Sequence, residues 1–135
     1  MRRAADSSVT IAALLGDHPA HGTAAEALAT CEKTIAHVAT ETYSVLTRLP
    51  SPHRANAVTA VEALNERLPS QYAALEAADY ADALGRLAEA GVEGGATYDG
   101  LIALTALEHD LELVSRDRRA ARPYRALGVR FTLLE

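Results

Sequence analysis

At 135 residues and 49% hydrophobic, the chain has the length and apolar content of one domain with its own core, spanning residues 1–135. Aromatics make up only 4% and Trp is absent, so that core must come from Leu, Val, Ile and Ala, which disfavours a β-sandwich and favours helices packed on a small sheet. A net charge of −5 argues against nucleic-acid binding by the molecule as a whole, one cysteine excludes an internal disulfide framework and suits a reducing cytoplasm, and no apolar run approaches the roughly 20 residues of a membrane span.

The run Met1-Arg-Arg-Ala-Ala-Asp6 is basic but not apolar enough for a secretory signal. It reads as a short strand ending near Asp6, although a buried parallel strand is ordinarily apolar throughout. A helix over about Val9 to Leu15 stops at Gly16-Asp17-His18-Pro19, and a second runs from about Thr23 to Cys31. Thr34-Ile35-Ala36 reads as a strand. A helix from His37 to Arg48 ends before Leu49-Pro50-Ser51-Pro52, because proline disfavours helix in the residue before it. Val58, Val61, Leu64 and Leu68 recur at helical spacing up to Pro69.

From Tyr72 to Ala90 propensity alone favours one long Ala-rich helix. A short strand over Tyr72–Leu75 followed by a helix from Ala77 is the alternative, which resemblance to a known family implies. After Gly91, Gly94 and Gly95, a helix over Thr97–His109 presents Leu101, Ile102, Thr105 and Leu107 to the core. Leu111–Val114 is an apolar strand, an Arg-rich helix with Tyr124 follows, and Val129–Leu133 closes the chain as a strand. Short apolar strands alternating with helices imply parallel pairing, with the ligand crevice beyond the carboxyl ends of the strands.

Four acids occupy positions that such a fold brings together. Asp6 and Asp117 follow strands, Glu41 lies in the first turns of a helix, and Asp99 opens the apolar helix. Carboxylates sharing one cleft raise each other's pKa unless a cation sits among them, and hard divalent ions such as Mg²⁺ take oxygen-only sites. Each acid also has an ordinary role available: Asp6 as a helix cap, Asp99 and Asp117 against helix dipoles, Glu41 as a solvated helix residue. From Arg116 onward six Arg face only Asp117 and Glu135, so basic charge concentrates beside one of the four acids. His18 and His21 lack the further Cys or His that a zinc site requires. No P-loop and no Ser-His-Asp order is present.

Four segments together resemble the PIN domain, and within it the VapC toxins of toxin–antitoxin pairs. They are Asp6-Ser-Ser-Val, Ala39-Thr-Glu-Thr-Tyr-Ser-Val-Leu-Thr-Arg-Leu-Pro50, Gly94-Gly-Ala-Thr-Tyr-Asp-Gly-Leu-Ile-Ala103 and Ser115-Arg-Asp-Arg-Arg119. Ser8 stands where the family often has Asn, and Gly100 where it often has Ala. The resemblance implies an α/β fold of three layers, α/β/α, around a central parallel sheet of about four to five short strands. It also implies a Mg²⁺-dependent endoribonuclease, with Mn²⁺ able to substitute, that cuts single-stranded or loop RNA to a 3′-hydroxyl and a 5′-phosphate. Asp6, Asp99 and Asp117 would hold the metal and Glu41 would orient water or a second ion. Ser7, Ser8 and Ser115 would orient carboxylates, and Arg116, Arg118 and Arg119 would contact RNA phosphates. A cognate antitoxin and a homodimer through the Ala55–Leu68 region are the implied partners. The alternative is a catalytically inactive PIN module that acts by pairing with another protein. An aspartyl-phosphate phosphatase is disfavoured, because Ser8 occupies the place of its second Asp.

Overall fold

The computed structural model describes residues 1–135. In chain order the elements are β1 (Arg3–Ala5), α1 (Ser7–Leu14), α2 (His21–Ala29), β2 (Thr34–Ile35), α3 (Ala36–Arg48), α4 (Ala57–Arg67), β3 (Tyr72–Ala73), α5 (Tyr80–Glu89), α6 (Thr97–Glu108), β4 (Glu112–Ser115), α7 (Ala121–Leu127) and β5 (Phe131–Leu133). Local chemistry sets several boundaries. The Asp6 carboxylate accepts from the Ser8 N–H and so starts α1 two residues before the expected position. Asn56 caps α4 by accepting from the Thr59 N–H. Gly128, at φ 80°, ends α7 in the left-handed conformation that glycine adopts without a Cβ penalty.

All strand pairs are parallel. β4 lies between β1 and β5, with Ala5 opposite Val114 and Ser115 opposite Leu133. The five expected strands all form, but as ladders of three and two rather than one continuous sheet: β2 pairs only with β3. The two ladders meet where Glu32 N–H donates to the Arg3 carbonyl at 2.9 Å, just ahead of the two-residue β2.

Strand alternation then separates two apolar layers. On one side Ala4 and Leu113 pack with Ile102, Ala103 and Ala106 of α6 and Tyr124 of α7. On the other, Ala5 and Val114 pack with Val9, Ala12, Ala24, Leu28 and Leu64 from α1, α2 and α4. The result is the expected three-layer α/β/α arrangement. The poor sequence of β1 is reconciled by its two buried alanines and by the treatment of Arg3. That guanidinium lies 3.3 Å from Glu112 across the β1–β4 pair and donates to Thr30 Oγ1 at 2.8 Å. Tyr72–Ala90 is broken as expected, except that β3 is two residues long and one turn of 3-10 helix over Ala77–Asp79 precedes α5. α6 is more deeply embedded than its apolar pattern suggests: Ile102, Ala103, Leu104, Thr105 and Ala106 are all buried, whereas Leu101 and Leu107 are only partly so. No helix is long and apolar enough to cross a membrane.

Candidate active site

Because β1 and β4 run parallel in register, their carboxyl ends lie side by side. Asp6 leaves β1 with its N–H donating to the Val114 carbonyl at 3.0 Å, and Ser115 ends β4. Asp6 is only 2% exposed. Its Oδ1 accepts from Ser8 N at 3.0 Å and from Ser8 Oγ at 2.5 Å, and its Oδ2 accepts from the Tyr124 hydroxyl at 2.8 Å. Ser8 Oγ also accepts from the Arg116 N–H at 2.8 Å and lies 3.5 Å from Ser115 Oγ, so one serine ties β1, α1 and the end of β4 together. Ser115 Oγ accepts from the Asp117 N–H at 3.0 Å, which places the fourth acid. Ser7 has no side-chain hydrogen bond to an acid; its carbonyl accepts from the Thr10 hydroxyl.

The other acids come from separate elements. Asp99 stands in the first turn of α6, half-buried, with no hydrogen bond or ion pair from any side chain. Burial raises its pKa to about 6, followed by the charges of Asp6, Asp117 and Glu41, with Arg119 opposing. Asp6 is also raised, by burial above all, while the hydroxyls of Ser115, Ser8 and Tyr124 pull it back. Glu41 on α3 is raised by burial and then by the charge of Asp6. Asp117 Oδ1 accepts from the Arg119 N–H at 2.9 Å, and the Arg119 side chain reaches the same atom at 3.4 Å. The four carboxylates therefore act on one another electrostatically from β1, α3, α6 and the β4–α7 turn. They do not form a ready-made cage: no three His, Cys, Asp or Glu side chains stand close enough to hold an ion as placed.

Asp6 thus performs the cap role and also faces the other acids. Arg116 is half-buried, with its Nε lacking a partner, while Arg118 and Arg119 are exposed at the rim. The histidine pair is committed elsewhere, His18 Nδ1 to the Ala20 N–H and His21 Nδ1 to the Ala12 carbonyl. The Cys31 thiol is pushed up to about 11 by burial, which leaves it protonated and unreactive at neutral pH.

Three features escaped the sequence. Tyr124 reaches Asp6 across 118 residues of chain, and nothing local marks it. Thr10 and Thr42, both buried, join hydroxyls at 2.6 Å and lock α3, hence Glu41, onto α1. Their spacing on otherwise apolar faces was the available signal. His37 stacks on Tyr98, with ring centroids 5.4 Å apart and planes 2° from parallel, and its Nε2 lies 3.4 Å from Glu41 Oε1.

Acids facing one another at the carboxyl edge of a parallel sheet under α/β/α layers define a PIN-type fold, and the comparisons agree. The model of the PIN domain matches residues 4–126, and the chain belongs to that family. It is 44% identical over 131 residues to Ribonuclease VapC40 of Mycobacterium tuberculosis, covering 97% of this chain and 98% of the relative. It is 41% identical over 128 residues to Ribonuclease VapC27 of Mycobacterium tuberculosis strain H37Rv, covering 93% and 92%.

Proposed function

We propose that residues 1–135 form a single domain that acts as a divalent-metal-dependent endoribonuclease, the toxin of a toxin–antitoxin pair. The observation that carries this reading is Asp99: a half-buried carboxyl with no protein partner, raised to about 6, facing three further acids. Such a group calls for a cation, and the all-oxygen donor set suits Mg²⁺, with Mn²⁺ as a substitute. Mg²⁺ retains several waters in its shell, so carboxylates that do not converge on one point remain suitable donors. Asp6, Asp99 and Asp117 hold the ion. When bound, it supplies counter-charge for a phosphate and a water of lowered pKa. Glu41 orients the attacking water; Ser8 and Ser115 fix Asp6 and the turn bearing Asp117. Arg116, Arg118 and Arg119 bind phosphate oxygens of single-stranded or loop RNA. Water adds to phosphorus as the bond to the 3′ oxygen breaks, giving a 3′-hydroxyl and a 5′-phosphate. The ribonuclease names of the relatives support this reading.

The partners are a cognate antitoxin over the acidic cleft and a second copy of the chain. Val58 and Val61, exposed on α4, support a homodimer through the Ala55–Leu68 region. A cytoplasmic location fits a single free cysteine.

The test is RNA cleavage with Mg²⁺ or Mn²⁺. EDTA abolishes it, and Asp6→Asn or Asp99→Asn lowers it about a hundredfold or more, because Asn keeps the shape and removes the charge. Full cleavage by both variants would rule the site out. The spread of the acids favours one competing reading, an inactive module that only pairs with a partner. Calorimetry on the wild type without antitoxin separates the two: absence of Mn²⁺ binding selects the inactive module.

A further inference from the structure

The His37–Tyr98 stack lies beside the acids yet has no part in the scheme above. Tyr98 precedes Asp99 in the first turn of α6 and is 54% exposed, whereas Tyr43 packs against the core and Tyr124 is wholly buried. With His37 parallel to it on one side, Tyr98 still keeps about half of its surface exposed. His37, Tyr98, Glu41, Ser44, Val45 and Arg48 line a cleft of about 220 Å³. Arg48 is exposed and makes no ion pair, so the cleft combines an aromatic wall with an unpaired cation. Beneath it, His37 Nε2 and Glu41 Oε1 are buried, without hydrogen-bond partners, and 3.4 Å apart. Because Glu41 belongs both to this cleft and to the acidic site, whatever fills the cleft adjoins the reacting phosphate.

We infer that this cleft is a nucleotide subsite, in which a base flanking the scissile phosphate stacks on Tyr98, braced by His37, while Arg48 meets the neighbouring phosphate. This rests on the ribonuclease reading. A base on an aromatic face is recognised regardless of sequence, since every base offers a π-face. The observations favour RNA over a peptide because the exposed surface is one flat ring with a free cation at its edge, continuous with the catalytic carboxylate.

The chain contains no Trp, so Tyr98→Trp introduces a single indole reporter at the proposed subsite. A short single-stranded RNA oligonucleotide, added in EDTA to prevent cleavage, quenches that emission as a base stacks on the indole. Tyr98→Ala weakens binding of the oligonucleotide about tenfold or more, Tyr98→Phe restores it, and an abasic oligonucleotide shows no such dependence on residue 98. If Tyr98→Ala weakens intact and abasic oligonucleotides equally, the position acts only through local structure and the subsite is overturned. If Tyr98→Trp emission ignores RNA that the same protein cleaves when Mn²⁺ is added, the ribonuclease reading stands and the surface belongs to a protein partner instead. If the wild type neither binds nor cuts RNA with Mn²⁺ present, both readings fall.

Discussion

Asp6 is the residue whose chemistry the structure constrains most tightly. A carboxylate offers about four lone-pair directions. Ser8 N–H and Ser8 Oγ occupy both on Oδ1, and the Tyr124 hydroxyl occupies one on Oδ2. The carboxylate is thus held on both oxygens, and Tyr124 helps set the orientation in which Asp6 would hold an ion. Tyr124→Phe tests this. The ring is wholly buried and packs edge-on against Phe131 at 5.5 Å, so the fold survives while the hydroxyl is lost. Partners that orient a ligand are typically worth tenfold to a hundredfold in metal affinity. Mn²⁺ binding measured by calorimetry is expected to weaken by about tenfold, and equal affinity in the two proteins would show that the phenol does not position Asp6. The sequence singles out these four acids by their order, because strand ends, as for Asp6 and Asp117, and a helix start, as for Asp99, are marked locally. Tyr124 was not readable: its role depends on α7 folding back across the sheet edge, and its sequence neighbours give no sign of the acid it meets.

Element placement was legible to a similar degree, and the departures have physical causes. β1 was doubtful from Arg2-Arg3, yet two alanines suffice for a strand whose arginine finds Glu112 and Thr30 at its edge. The division of the sheet into two ladders was not readable, because strands of two residues carry almost no pattern. Gly100 stands where the family often has Ala, and packing supplies the reason for the glycine. A Cβ there would lie 2.4 Å from Leu87 Cδ2 and 3.0 Å from Val92 Cγ1, so the glycine lets α5 and the segment after it close onto α6. Gly100→Ala gains about 1 kcal/mol of helix propensity but overpacks the contact, which typically costs about 1–3 kcal/mol. Leu87 is 3% exposed and has little room to yield. Overpacking wins, and thermal unfolding is expected about 3 °C lower. Pairing it with Leu87→Val, which withdraws the clashing methyl, should recover part of the loss. A Gly100→Ala midpoint above that of the wild type would contradict the packing argument.

At the scale of the whole molecule, the facing acids set function against stability. Asp6, Glu41 and Asp99 all have folded pKa values above their ordinary ones, so the folded chain binds protons more tightly than the unfolded chain. By linkage, stability from these groups then falls as pH rises. For Asp99 the window runs from the ordinary 3.8 up to about 6, and above it the full repulsion is present. Asp99→Asn removes that charge. Without metal, the variant should match or exceed the wild type at about pH 7.5, and its advantage should shrink by about pH 5, where the wild-type carboxyl is largely protonated. A divalent ion reverses the order, because it binds the ionised site of the folded chain. At a concentration about a hundredfold above Kd it stabilises the wild type by about 2.7 kcal/mol. Scans of both proteins at the two pH values, with EDTA and with Mn²⁺, separate these effects. If the difference between the proteins is flat with pH and unmoved by Mn²⁺, the acids do not share a field and Asp99 is no more than a helix-start carboxylate.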